Sequence, residues 1–178
     1  MAAIEVRALG NPDRPAAETI LVDVFSDDPS WQRAIRSSRR IRPFLRRYYR
    51  RCLADLVPGS NADGAFEGDR LVGVALWFPP GQRPGGLPGR LHGLFDRQQR
   101  ETRDEWLLEG IAVAAGNRGR GIGGTLLRHR LQGLSATVHL EATTDGSARL
   151  YERYGFVPDP HRRSKAGDLW MTRRPRQV

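Results

Sequence analysis

The sequence predicts one α/β domain built on a mixed β-sheet flanked by helices. Three observations carry that expectation. The chain has 178 residues, the size of one domain with one core. Its hydrophobic residues, 39% of the total, are spread along the chain, as a packed globule requires. Strand-like and helix-like segments alternate, strands crowd the middle, and no repeat or linker divides them.

The elements follow in order. Ile4 to Leu9 alternates loosely and reads as a first strand, broken by Asn11-Pro12-Asp13. Pro15 to Phe25 carries Ile20, Leu21, Val24 and Phe25 at helical spacing. Asp28-Pro29-Ser30 reads as a turn. A second helical region runs from about Trp31 to Val57, with a break expected before Pro43. Gly64 to Phe78 reads as a hairpin around Gly68-Asp69, stopped by Pro79-Pro80-Gly81. Gly81 to Gly89 is a loop, and Leu91 to Arg103 a helix. Trp106 to Val113 and Thr137 to Ala142 are strand-like. Between them a glycine-rich loop opens a helix from about Gly121 to Gln132, with Ile122, Leu126, Leu127 and Leu131 on one side. Ser147 to Tyr154 is a short helix, Gly155-Phe156-Val157 opens a strand, and Leu169 to Thr172 is the last one.

Composition narrows the function classes. No apolar run approaches the ~18–20 residues that span a bilayer, so no membrane partner is expected. The first residues lack the basic-then-apolar pattern of a signal peptide. Cys52 is the sole cysteine, which excludes an internal disulfide and a cysteine metal cage, and a cytoplasmic protein is expected. His92, His129, His139 and His161 show no ligand spacing, so no metal is expected. The formal charge is +9, which suits an anionic partner. However, Lys165 is the single lysine among 29 basic residues, a bias that points to a GC-rich coding sequence. Arg46-Arg47-Tyr48-Tyr49-Arg50-Arg51 interleaves aromatics with arginines as single-strand binders do. On a helix the same run gives a buried tyrosine face edged by solvated arginines, which is the reading adopted. Nucleic acid is not expected as a partner. A homodimer is compatible with the sequence.

The informative segment is Ile111-Ala112-Val113-Ala114-Ala115-Gly116-Asn117-Arg118-Gly119-Arg120-Gly121-Ile122-Gly123-Gly124. A strand runs into glycines and then into an amphipathic helix. Helix N-termini expose unpaired N–H groups and bind anions, and glycines let backbone approach a phosphate. A Walker loop needs a lysine where Thr125 stands, which excludes it. The dinucleotide fingerprint matches literally at Gly119, Gly121 and Gly124, with Glu141 on the next strand. Yet the preceding strand ends near Val113, too early for that turn. Only 37 residues follow Glu141, too few for a doubly wound sheet. The third candidate is the acetyl-CoA loop R/Q-x-x-G-x-G/A, matched by Arg118-Gly119-Arg120-Gly121-Ile122-Gly123, and on its own the segment also fits a glycine-rich turn before an ordinary helix.

Two further segments agree with that motif in order and spacing. Downstream, Leu140-Glu141-Ala142 precedes Ser147-Ala148-Arg149-Leu150-Tyr151-Glu152-Arg153-Tyr154-Gly155-Phe156. Upstream stands Trp106-Leu107-Leu108-Glu109-Gly110-Ile111-Ala112-Val113. Over about residues 65 to 173 the chain resembles the GNAT superfamily of N-acetyltransferases. Leu140 to Thr143, Leu150 to Arg153, Ala75 to Gly81 and Trp170 to Pro175 look like its puromycin N-acetyltransferase branch. One departure is that Thr144 and Ser147 stand where many members carry Asn and Ala.

The resemblance implies one GNAT domain over 1–178 whose two central parallel strands, Trp106 to Val113 and Thr137 to Ala142, splay apart. It implies acetyl-CoA as acyl donor and a small-molecule amine as acceptor; acetylation of a protein N-terminus or lysine, and a non-catalytic CoA-binding module, are the alternatives. The implied cofactor contacts are the strand backbone at Ile111, Ala112 and Val113 and the loop Arg118, Gly119, Arg120, Gly121, Ile122, Gly123 and Gly124. A backbone N–H near Ile111 would polarise the thioester carbonyl. Tyr151 matches the family tyrosine that protonates the leaving thiolate. For the base, Glu109 comes first and Glu141 second, because a carboxylate in an apolar strand is costly without a purpose or partner. No transferable motif marks the acceptor side, around residues 26–60 and 78–103.

Overall fold

The computed structural model describes residues 3–85, 104–160 and 168–175. β1 (Ile4–Ala8) leads through a 3-10 turn into α1 (Arg14–Phe25), α2 (Pro29–Ala34) and α3 (Ser38–Leu56). The hairpin β2 (Ala62–Glu67) and β3 (Arg70–Phe78) follows. Then come β4 (Trp106–Val113), α4 (Ile122–Gln132), β5 (Val138–Ala142), α5 (Asp145–Glu152), β6 (Val157–Pro158) and β7 (Leu169–Arg173). The helix expected over 91–103 lies outside the described residues.

The strands form one mixed sheet in the order β1-β2-β3-β4-β5-β7-β6. Every neighbouring pair is antiparallel except β4 and β5 at the centre. These two pair only at their beginnings, Trp106 with Val138 and Leu107 with His139. Beyond that point they diverge, and the second half of β4 faces a gap. The mixed sheet with splayed parallel central strands is therefore present.

Each face of the sheet carries its own core. On one side α1 and α3 pack Leu21, Leu45, Tyr49 and Leu53 against Val74, Leu76, Phe78 and Ala112. On the other, Ile122, Leu126 and Leu127 of α4 and Tyr151 of α5 pack against Ala75, Trp77, Leu108 and Leu140. Alternate strand residues feed the two cores, as a pleat buried on both faces demands.

The helical region after α1 differs from expectation in where it breaks. Asp28 is not a turn residue but the N-cap of α2, accepting from the Ser30 and Trp31 amides at 2.9 and 3.2 Å. The interruption falls at Ile35–Ser37, where Ile35 leaves helical geometry and Ser37 is extended. Pro43 sits inside α3 without ending it. A proline in an early turn removes one N–H, and here the buried stripe of Ile41, Leu45, Tyr48, Tyr49 and Cys52 outweighs that loss.

Candidate active site

A β-bulge aims the first candidate base. β3 and β4 run in register until Leu76 faces Gly110; the next residue, Trp77, faces Leu108. Glu109 is the extra residue between them. Bulges re-aim side chains, and this one puts Glu109 and Gly110 on the same face, toward α1 and α3. A Cβ on Gly110 would stand 2.7 Å from the Phe25 ring, so any side chain there must displace that ring.

The gap between β4 and β5 opens into a cavity of about 370 Å³. Its walls bring together Glu109 and Ile111 of β4, His139 and Glu141 of β5, Tyr151 of α5 and Arg118 of the glycine loop. Phe25, Asp28 and Trp31 close it from the α1–α2 side, and Trp170 from β7. Every catalytic candidate read from the sequence therefore meets in one place.

The electrostatics of these groups follow from their burial. Burial pushes the Glu109 carboxyl up to about 7, opposed by a hydrogen bond from the Tyr48 hydroxyl. Glu141 rises to about 8, through burial first and then the nearby Asp168 and Glu109 charges. Burial, with a contribution from Asp28, raises the Tyr151 phenol above its ordinary value. That side chain, 7% exposed and edge-on to Phe156, keeps its proton at neutral pH. The cavity thus holds two carboxyls able to gain or lose a proton near neutrality and one phenol that stays protonated.

Asp28 and Asp168 escaped the sequence reading. Asp28 caps α2 with one oxygen and with the other accepts from the Thr143 hydroxyl at 2.5 Å. Asp168 accepts from the Ser30 hydroxyl and pairs with Arg33. Together they fasten α2 across the ends of β5 and β7. The N-cap pattern Asp-Pro-Ser-Trp was a legible signal for Asp28. Nothing local marks Asp168, whose partners lie 135 and 138 positions away.

The glycine loop has the features of a phosphate cradle. Gly119 and Gly121 take φ of +76° and +77°, and a Cβ on either would meet nothing within 4 Å. The first N–H groups of α4, on Ile122, Gly123 and Gly124, have no carbonyl four residues back inside the helix. The loop is not uniform. Gly124 serves packing, since a Cβ there would stand 2.3 Å from the Tyr154 hydroxyl. Arg120 is held by Glu67 at 2.7 Å, and Arg120 with Arg70 keeps that carboxyl down at about 2. Arg118 instead is exposed at the cavity, its Nε donating to the Val113 carbonyl at 3.5 Å.

The backbone of β4 also points the right way. The Ala114 amide donates to the Val72 carbonyl at 2.9 Å, so this pair is hydrogen-bonded across β3 and β4. In an antiparallel ladder the bonding direction alternates, so Ile111 and Val113 direct their N–H and C=O groups away from β3 and into the gap. An extended chain lying there can pair with them as a strand would. The free amides, open glycines and exposed Arg118 at one end fit the phosphates of CoA, and this free edge fits its extended arm. Thr144 and Ser147 lie at the cavity wall and also have a structural part. They form the capping box of α5, with the Ser147 amide donating to the Thr144 hydroxyl at 3.1 Å, which orients the helix that carries Tyr151.

Comparisons with known proteins agree. Residues 65–158, more than half of the chain, match the model of a family described as an acetyltransferase (GNAT) domain. No curated protein sequence matches significantly. Among solved structures, one described as histone acetyltransferase HPA2 and related acetyltransferase, from Corynebacterium glutamicum, is 28% identical, with a TM-score of 0.74 over 100% of this chain and 99% of that one. The PaiA N-acetyltransferase of Thermoplasma acidophilum, solved with coenzyme A, is 18% identical, with a TM-score of 0.63 over 97% and 99%. A putative arylalkylamine N-acetyltransferase of Aedes aegypti is 17% identical, with a TM-score of 0.70 over 96% and 87%. The chain belongs to the GNAT acetyltransferase family and is an N-acetyltransferase.

Proposed function

We propose that the whole chain, 1–178, acts as one domain that acetylates a small-molecule primary amine by direct attack within a ternary complex. The observation that carries this reading is the single cavity that joins Glu109, Tyr151 and Arg118 across the gap between β4 and β5. The amine enters from the α1–α2 side, among Phe25, Trp31 and Trp170. Aromatic walls with carboxylates between them suit an organic cation. The solved arylalkylamine neighbour supports an acceptor of that size.

Each residue has a distinct part. Arg118 and the α4 amides from Ile122 onward hold the phosphates, with Gly119 and Gly121 keeping the approach open and Gly123 adding its amide while it packs beside Leu150. Ile111 and Val113 align the arm along β4, with Ala112 anchoring the strand in the core, and Arg120 braces the loop through Glu67. Acetyl-CoA supplies the thioester. The Ile111 N–H donates to the acyl oxygen, on which negative charge develops. Glu109 accepts the proton of the attacking amine, and a carboxyl near 7 is well matched to that role. Tyr151 donates its proton to the departing sulfur. Glu141 serves as the second candidate for base.

The experiment is a panel of amines, including arylalkylamines, polyamines and antibiotics of the puromycin kind, with CoA thiol release followed at pH 8. Amine-dependent release from at least one small amine is expected, with none from lysine-containing peptides. Release that responds to peptides alone would replace the small-molecule reading by the protein-acetylating one.

A further inference from the structure

The Glu109 carboxylate has one partner to which the reaction steps give no role. Tyr48, in the middle of α3, donates its hydroxyl proton to Glu109 Oε1, 61 positions away in sequence. The Tyr48 side chain has little freedom. It is 4% exposed, with ring centroids 5.1 Å from Trp31, 5.1 Å from Tyr49 and 6.3 Å from Phe44. Its hydroxyl is therefore a fixed point on the helix side of the cleft, facing the bulge from which Glu109 projects.

The other titratable groups around Glu109 do not offer the same contact. From α3 come Tyr49 and the Cys52 thiol, both kept neutral by burial and the Glu109 charge. Asp28 faces the cavity from the α1–α2 turn, and His139 and Glu141 from β5. Tyr151 enters from α5, and Arg118 from the loop. Among the described residues, Tyr48 is the one hydrogen-bond donor to the Glu109 carboxylate.

We propose that Tyr48 is the positioning residue of the base: its hydroxyl fixes one carboxylate oxygen of Glu109 and leaves the other turned toward the acceptor amine. The proposal rests on the reading of Glu109 as base. The same bond stabilises the ionised carboxylate in surroundings that otherwise favour its protonated form. Tyr48 touches neither the acyl group nor the amine; it acts through Glu109.

The test uses the full chain and needs no acceptor. Glutamate carboxyl carbons are followed by NMR against pH, and Glu109 is assigned by the resonance lost in Glu109→Gln. In the wild type it titrates near 7. In Tyr48→Phe, which keeps the ring and its stacking, the midpoint moves up by roughly one pH unit, the scale of a lost hydrogen bond to a charged group. With an amine from the panel, the acidic limb of kcat/KM moves up by the same amount, while KM for acetyl-CoA stays put. A ring-fluorinated tyrosine at position 48, a stronger donor of the same shape, moves both midpoints down and covers the case in which the Phe variant folds poorly. A role in packing alone lowers activity by one factor at every pH. Midpoints unmoved by either replacement overturn the proposal. The reading of Glu109 fails separately, if Glu109→Gln keeps full activity.

Discussion

Burial favours the protonated form of Tyr151 and of both strand carboxylates, and the three are tested in different ways. Burial keeps the Tyr151 proton in place, so Tyr151→Phe removes the donor but not the ring that packs on Phe156. Turnover falls ~10²–10⁴-fold, the scale of a lost general acid, and acetyl-CoA affinity barely changes. Steady-state rates beside binding calorimetry separate the two. Glu109 and Glu141 stand at about 7 and about 8, above the ordinary carboxyl value of 4.5. Between pH 4.5 and 8 the folded chain holds protons that the unfolded chain has released. Stability therefore falls as pH rises through that window and levels off above it. Glu141→Gln matches the wild type at pH 4 and gains stability up to pH 8, on the order of 2 kcal/mol after discounting for its partial exposure. Thermal melts at the two pH values read this directly. The sequence marked these three residues because each breaks a local pattern: a carboxylate within an apolar strand, a tyrosine within a motif. Asp168 breaks none and Tyr48 stands out only within the Arg-Tyr run, and the contacts of both join distant segments.

The phosphate loop and the bulged strand were legible to different degrees. Glycines between a strand and an amphipathic helix announced the loop, and φ near +77° at Gly121 explains one of them. Gly121 is also the N-cap of α4. Gly121→Asp places a carboxylate at the proposed phosphate site, where it competes for the free helical amides. A side chain at φ +77° strains the backbone although its Cβ meets nothing, so the variant should melt below the wild type, and acetyl-CoA should no longer raise that melting temperature. An unchanged ligand-induced shift would mean that the phosphates lie elsewhere. The two arginines of the loop looked equivalent in sequence; only the fold shows Arg120 tied to Glu67 and Arg118 at the cavity. The bulge at Glu109 left no trace in the sequence, because a bulge is a mismatch between two strands and belongs to neither alone. Its neighbour offers a test. Gly110→Ala drives a methyl group into the Phe25 ring, which also lines the cavity. The overpacking costs about 1–3 kcal/mol and displaces the ring into the acceptor side. KM for the amine rises in this variant while acetyl-CoA affinity holds, as initial rates with each substrate varied in turn will show.

For the whole molecule, the order of elements was readable from periodicity, and the pairing of the central strands was not. Trp106 to Val113 and the strand ending at Ala142 look alike in sequence whether they pair along their length or only at Trp106 and Leu107. The divergence is a property of the assembled sheet, and it creates the site. Net charge has a similar lesson. Of the arginines on α3, Arg42 pairs with Asp23, Arg46 and Arg50 with Glu18, and Arg51 with Asp55. Both tyrosines of the Arg-Tyr run are buried while the flanking arginines stay exposed. The run that looked like a nucleic-acid feature is thus largely a solvated helix face, and its tyrosines are buried against the sheet, with Tyr48 donating to Glu109. The proposed mechanism as a whole rests on one cleft that holds both substrates at once. Initial rates of CoA thiol release, with acetyl-CoA and an accepted amine varied against each other, test this most directly. Direct attack in a ternary complex predicts double-reciprocal lines that intersect, and no thiol burst without amine. Parallel lines, with a burst from acetyl-CoA alone, would contradict it, because they require an acetylated-enzyme intermediate.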